Sequence, residues 1–348
     1  TKNMQKTTGF FLILVVIMSA ITACDNEISI AADWEEVVIV YGTLNPEQPK
    51  NYIRIQRAYL DESVAALSFS TIQDSLYFDT LDVKIEEYTN GKLTNIFTLS
   101  KVNGNDIGMP KDSGIFYSEN NILYELSDPV KASISVIDYD YKLIVRNPKT
   151  GHICTGITRS LGKPEVNDPI NDIYSNIAVN VQKDHTILFR YQEGKWVRSY
   201  SFVMDMRIQE FNINNPSEKI ERIVRWNMLT DVRTISLQGF NVNKTNTPSA
   251  NFFYSLAAAL EVNPNLRRRL IDFDVKVYGI SDDFNTYISV NKPSIGIVQK
   301  KPEYTNMTNA LGLFTSRHIK TFENQSFNAT TLAQINLSDI TKNLGFVE

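Results

Sequence analysis

Leu81-Asp82-Val83-Lys84-Ile85-Glu86, then Asn90-Gly91, then Leu93 to Leu99, is the stretch that decides the fold class. Leu81, Val83 and Ile85 alternate with Asp82, Lys84 and Glu86, the period of a strand with one face in a core and one in water. Asn90-Gly91 supplies the two positive-φ positions of a type I′ turn, the tight link between antiparallel strands. Leu93 to Leu99 is the returning strand. The stretch predicts a β-hairpin, and the same pattern recurs on both sides of it.

Upstream, Val37 to Tyr41 is a continuous apolar run, Asn45-Pro46 turns, and Tyr52 to Tyr59 resumes as a strand. Downstream, Tyr139, Tyr141, Leu143 and Val145 alternate, Asn147 to Gly151 turns, and His152 to Thr158 returns. Short strands punctuated by turns predict an immunoglobulin-like antiparallel β-sandwich over residues 33–160. Residues 61–80 read as a polar insertion, and 162–169, which lacks any apolar period, as a linker. No period of 20–50 residues repeats, which excludes solenoids and propellers. A core rarely grows past ~250–300 residues, so the 325 residues from 24 to 348 favour two domains.

In the second half Tyr200, Phe202, Met204, Met206 and Ile208 share one face of a long strand. Ile220–Trp226, Val232–Leu237, Asp272–Ile280 and Thr286–Val290 read as further strands. Phe252, Phe253, Leu256 and Leu260 fall at helical spacing and predict one helix near 249–262. Asn263-Pro264 stops it and suits the start of a short second helix. Leu311 and Leu313 alternate about Gly312, with Phe314 on the opposite face to cover that helix. The fold expectation is mainly β: the N-terminal sandwich, a β-rich C-terminal domain at 172–320 carrying one helix, and a polar tail at 321–348.

The N-terminus has a different character. Lys2 and Lys6 precede an apolar run from Phe10 to Ile21, too short for the about 20 residues that span a bilayer as a helix. Residues 1–23 therefore read as a secretory signal peptide. Ile21-Thr22-Ala23-Cys24 resembles the bacterial lipobox, and that resemblance implies that Cys24 is lipidated and that 24–32 is an acylated tether. Two or more acyl chains anchor a protein stably where one does not. Cleavage removes Lys2 and Lys6 and moves the formal charge from -4 to about -6. The charge balance argues against nucleic acid as a partner, because its binders carry a basic excess.

Chemistry-bearing motifs are sparse. His152, His185 and His318 are far apart, with no H-E-x-x-H or C-x-x-C spacing to hold zinc. No G-x-S-x-G elbow and no glycine-rich loop before a helix is present. Cys154 reads as a buried strand cysteine. Asp138/Asp140 and Asp272/Asp274 sit two apart and share a strand face, yet lack the later glycine and glutamate of a calcium loop. Asp184-His185 would point to opposite faces of a strand. Arg267-Arg268-Arg269 reads as a basic run complementing a helix end, with contact to an acidic partner as the alternative. Asp74-Ser75-Leu76 and Asp79-Thr80-Leu81 resemble the O-glycosylation sequon of Bacteroidetes. These residues yield no catalytic residue, no metal ligand and no cofactor site.

With Val38-Ile39-Val40-Tyr41-Gly42, the Asn147–Gly151 turn and Asn309-Ala310-Leu311-Gly312-Leu313-Phe314 in place, the chain resembles a family of Bacteroidetes lipoproteins, domain-of-unknown-function 4249. Val290-Asn291-Lys292-Pro293-Ser294 and Gly296-Ile297-Val298-Gln299 add to the likeness. The resemblance implies an outer-membrane or cell-surface lipoprotein, sometimes encoded near TonB-dependent receptors, without catalytic residues to carry over. With it, Asp25 and Glu27 just after the lipidated cysteine favour the cell surface. The functional expectation is a non-enzymatic binding or accessory role, with the membrane, an outer-membrane protein or a glycan as partner. The competing expectation is a glycan hydrolase with two carboxylates from distant strands, served by Trp34, Trp196 or Trp226.

Overall fold

Asp82–Thr89 and Lys92–Thr98 pair antiparallel as the sequence predicts, and Asn90 and Gly91 between them take φ of 48° and 78°. The computed structural model describes residues 37–58, 76–112, 114, 117–171, 181–182, 184–292 and 303–347. The signal segment, Cys24, the tether, Trp34, Asp74-Ser75 and the Pro293–Gln299 part of the family likeness lie outside the described residues.

The first half supplies β1 (Val37–Leu44), β2 (Asn51–Ala58), β3 (Asp82–Thr89), β4 (Lys92–Thr98), β5 (Ser100–Asn103), β6 (Ile122–Leu126), β7 (Tyr139–Arg146) and β8 (Ile153–Arg159). There follow β9 (Glu165–Asp168), β10 (Thr186–Gln192), β11 (Ser199–Asn212), β12 (Asn215–Arg233), β13 (Val242–Pro248) and β14 (Leu266–Ile280). Helices α1 (Ala250–Ala259) and α2 (Asp282–Asn291) flank β14, and β15 (Met307–Thr308), β16 (Leu311–Gln325) and α3 (Ala329–Leu337) end the chain. The protein is mainly β. None of the described helices is long and apolar enough to cross a membrane.

Among the described residues three sheets form: an eight-stranded one in the order β12-β11-β14-β16-β1-β2-β6-β5, a five-stranded one in the order β15-β8-β7-β3-β4, and a three-stranded one in the order β13-β10-β9. Two hydrophobic cores lie among them. The first joins Val38, Val40, Ile53 and Ile55 of the large sheet to Val83, Ile85, Leu143 and Val145 of the five-stranded one. The second joins Phe202, Met204, Met206, Val275 and Val277 to Phe189 and Tyr191, with Phe252, Phe253 and Leu256 of α1 laid over them. Each such side chain contributes about 1.5–3 kcal/mol by leaving water.

One strand serves both cores. Leu311–Ser316 runs parallel to Ile39–Leu44 of β1, while Arg317–Gln325 runs antiparallel to Ile280–Phe273 of β14. The handover falls at Ser316/Arg317. Two of the sequence boxes thereby explain each other, because Val40 stands opposite Gly312 and Gly42 opposite Phe314. A Cβ on Gly312, whose φ is 109°, would lie 2.0 Å from the Val40 carbonyl oxygen. At Gly42 it would lie 3.0 Å from the Phe314 ring. Glycine at both places lets the strands close.

Several expectations change. The large sheet unites strands from both halves, so the first core is not built from residues 33–160 alone. Phe314 belongs to that first core and does not cover α1; Leu313 is 3% exposed and Leu311 44%. Residues 162–169 are no loose linker: β9 joins a sheet, and Leu161, Val166 and Ile170 around it are buried. Of the 61–80 insertion, Tyr77 and Phe78 are buried. The polar tail is folded, ending β16 and then forming α3, with Phe327, Ile335 and Leu344 in the second core. Thr286–Val290 is helical because the Ser281 side chain caps the Phe284 N–H and Asp282 and Asp283 sit in the first turn, which outweighs the β-branched residues. Asn263-Pro264 makes a turn into β14, the Asn263 side chain accepting from Asn265 N–H at 2.9 Å, and opens no second helix.

Candidate functional site

Alternation along β1, β2 and β16 sends one set of residues into the first core and the other set to the opposite face of the large sheet. Val40, Gly42, Ile53 and Phe314 go inward. Tyr41 and Thr43, Arg54 and Tyr52, and Thr315 and Arg317 go outward, Tyr41 standing beside Arg54 on one strand and Leu313 on the other. On this outer face lies a cleft of about 480 Å³, bounded also by Lys50 from the β1–β2 turn and Leu123 of β6. That size is within the range of small-molecule pockets. Helix α2 forms an edge: Ser281 Oγ and Thr315 Oγ1 are 2.6 Å apart, and Tyr287 meets Tyr41 edge-on at 6.3 Å between ring centroids.

Among the described residues lining the cleft, three are cations and none is an acid. Lys50 Nζ pairs with Glu125 at 2.8 Å. Arg54 donates from Nη2 to Asn121 Oδ1 at 3.3 Å, but its Nε is buried without a partner. Arg317 has a buried, unpartnered Nε, and among the described residues no ion pair or hydrogen bond reaches its guanidinium. Burial pushes that guanidinium below its usual range. Burial, and then the charge of Arg54, push the neighbouring Lys111 ammonium down as well. Half-buried cations without counter-charges destabilise a fold. A tyrosine wall beside such cations can hold an anionic molecule. Burial, and then the Tyr287 hydroxyl, raise the pKa of Tyr41, which stays a neutral hydroxyl at physiological pH.

The residues singled out from sequence lie elsewhere. His152 touches the Asn309 carbonyl oxygen at 2.8 Å, His185 is exposed before β10, and His318 is buried with Nε2 3.2 Å from Glu47 Oε1. His318 first, and Lys163 further, hold the Glu47 carboxyl down at about 2. Burial pushes the Cys154 thiol up to about 11, which makes it a poor nucleophile. Asp138 accepts from Lys195 Nζ at 2.7 Å and Trp196 Nε1 at 2.6 Å, and Asp140 from Arg159 Nε at 2.6 Å. Asp272 and Asp274 together grip Arg207, whose Nη1 is 2.8 Å from Asp274 Oδ2. Exposed Asp79 of the second sequon pairs with Lys149 at 2.5 Å. No group of three potential metal ligands exists among the described residues.

Arg267–Arg269 lie on β14, after a turn and not directly after a helix. Arg268 is 1% exposed and donates from Nε to Glu210 at 2.7 Å. Trp226 is buried against Phe252, while half-buried Trp196, at φ 66°, carries the Arg159 guanidinium 4.4 Å above its ring. That stack joins the two halves. Sequence reasoning missed Arg54 and Arg317, which are 263 positions apart in the chain and meet on one face only because β1 lies between β2 and β16. No protein-family model and no curated protein matches the chain.

Proposed function

We propose that the chain is a lipid-anchored envelope protein that binds a ligand in the cleft over β1, β2 and β16 without transforming it. The observation that carries this reading is the cleft itself, where tyrosines and incompletely paired cations share one sheet face. The hydrolase alternative needs a free pair of carboxyls. That reading takes its two carboxyls from distant strands, and among the described residues lining this cleft none is an acid. Lys2, Lys6 and the Ile21–Cys24 box support the anchor. The resemblance to the Bacteroidetes lipoproteins, with Asp25 and Glu27, supports the outer membrane and its outer surface, beside a TonB-dependent receptor or a glycan. Two facing sheets over the first core are compatible with an immunoglobulin-like sandwich that borrows β15 and β16.

The test is a binding screen of glycans and small metabolites against wild type and Tyr41→Ala, paired with membrane fractionation of Cys24→Ala. A ligand recovered chemically unchanged, and bound by wild type but not by Tyr41→Ala, supports binding at the cleft. Consumption of the ligand, or binding indifferent to Tyr41, refutes it. Cys24→Ala should leave the membrane fraction or stall in processing; unchanged membrane attachment would remove the anchor from the proposal.

A further inference from the structure

The cationic residues of the cleft are not clustered at one point. Arg54 stands level with Tyr41 of β1, whereas Arg317 lies one residue past the Leu44–Ser316 pair. At ~3.3 Å per residue their backbones are about 13 Å apart along the strand, on opposite sides of it. Between them run Tyr41, Thr43 and Tyr52, and Tyr41 is 43% exposed. The Lys50–Glu125 pair on the β2–β6 side is internally neutral. Among the described residues, what remains unneutralised is therefore a guanidinium at each end of a tyrosine-walled trough. Lys111 adds a like charge beside Arg54, its Nζ donating to the Tyr117 carbonyl oxygen at 2.8 Å. In a chain of formal charge -4, such a local cationic field favours acidic solutes.

We infer that the cleft receives an elongated small acid, one oxyanion meeting Arg317 and a second meeting Arg54, with its body across Tyr41 and Tyr52. The inference rests on the reading that the cleft is the binding site. Guanidinium groups suit it because their planar fork donates two parallel hydrogen bonds to a carboxylate, phosphate or sulfate. The Nε of each arginine is buried, so the oxyanion would meet the outer Nη nitrogens of the fork. Tyrosine between the two ends offers a flat apolar wall and a hydroxyl, which suits a ring-bearing linker.

Calorimetric titration of the full-length lipoprotein in detergent tests this with four probes: trigalacturonate, its neutral methyl ester, sulfate and phosphate, in chloride of matched ionic strength. Trigalacturonate should bind saturably and its ester should not. Arg317→Gln and Arg54→Gln should each weaken it about 10- to 100-fold. Arg54→Lys should not restore it, because lysine keeps the charge and loses the fork. Arginine-dependent binding of sulfate or phosphate without the uronate would show a simple anion site and overturn the elongated acid. Equal binding of acid and ester, abolished by Tyr41→Ala, would keep the cleft as the site and overturn the acidic ligand. Acid binding untouched by both arginine variants, or no saturable binding of any probe below ~10 mM, would overturn the inference too.

Discussion

Replacing Arg317 by methionine should make the protein more stable, the reverse of what removing a half-buried charged side chain usually does. Methionine keeps the length and apolar packing of the arginine stem while removing the cation. No ion pair is lost, because among the described residues none reaches this guanidinium. A buried donor without a partner costs about 1–3 kcal/mol, and Arg317 Nε is such a donor. The side chain is only partly buried, so hydration of its outer nitrogens reduces the gain to about 1 kcal/mol. Equilibrium unfolding in urea, followed by circular dichroism, reads this as a higher midpoint at unchanged slope. Arg207→Met is the control. Arg207 bridges Asp272 and Asp274, so its loss leaves two carboxylates side by side and should lower stability by about 1–3 kcal/mol. If Arg317→Met loses 1 kcal/mol or more, Arg317 is a structural residue with a partner, and the argument from unpaired charge in the cleft is wrong. A stabilised variant that no longer binds ligand would show stability given up for function.

Gly312→Ala should lose more than ~4 kcal/mol, because a Cβ there meets the Val40 carbonyl at 2.0 Å, whereas Gly91→Ala, also at positive φ but with open space around it, should lose only ~1 kcal/mol; similar losses in urea unfolding would mean that β1 and β16 are not so closely apposed. Arg268→Met should cost about 3–5 kcal/mol by leaving Glu210 buried with only Arg222 beside it, and the double variant Arg268→Met/Glu210→Met should recover part of the loss. Asp205, gripped by Arg225 and Lys276, has its carboxyl held down at about 2. Its folded pKa lies below the unfolded ~3.9, so its stabilisation is present above about pH 4 and disappears as pH falls towards 2. Acid titration of the unfolding midpoint should show that loss in wild type and a shallower one in Asp205→Asn.

Local pattern carried much of the fold and almost none of the site. The Leu81–Leu99 hairpin is legible because alternation and the Asn-Gly turn act within a few residues, and α1 because Phe252, Phe253 and Leu256 repeat at helical spacing. Thr286–Val290 misleads, since β-branched residues there yield to the Ser281 cap and the aspartates after it. The tail misleads for another reason: polar residues flank α3 in sequence, while α3 itself carries Leu332, Ile335 and Leu337 and packs Ile335 into the second core. Arg268 reads as one of three arginines complementing a helix end because nothing near it in sequence reveals Glu210 across the strand pair. Arg54 and Arg317 are similarly silent. Each is an ordinary alternating strand residue until the register of three strands sets them along one trough.

The strand that carries Arg317 also decides what kind of site the cleft is. β16 is hydrogen-bonded to β1 up to Ser316 and to β14 from Arg317 onward, so the cleft floor sits where two cores share a backbone. Phe314 is locked in the first core, His318 is buried beside Glu47, and Gly312 admits no side chain against Val40. Moving Arg317 relative to Tyr41 would require sliding β16 along β1, which would turn Phe314 out of its place and break the parallel register. The α2 edge is tied to the same floor by Ser281 and Thr315. A site so constrained is preorganised: it holds its donors in position before the ligand arrives, and little ordering entropy remains to be lost on binding. That property suits selective capture of a ligand of fixed length, and it gives no support to a mechanism in which the cleft closes over a substrate.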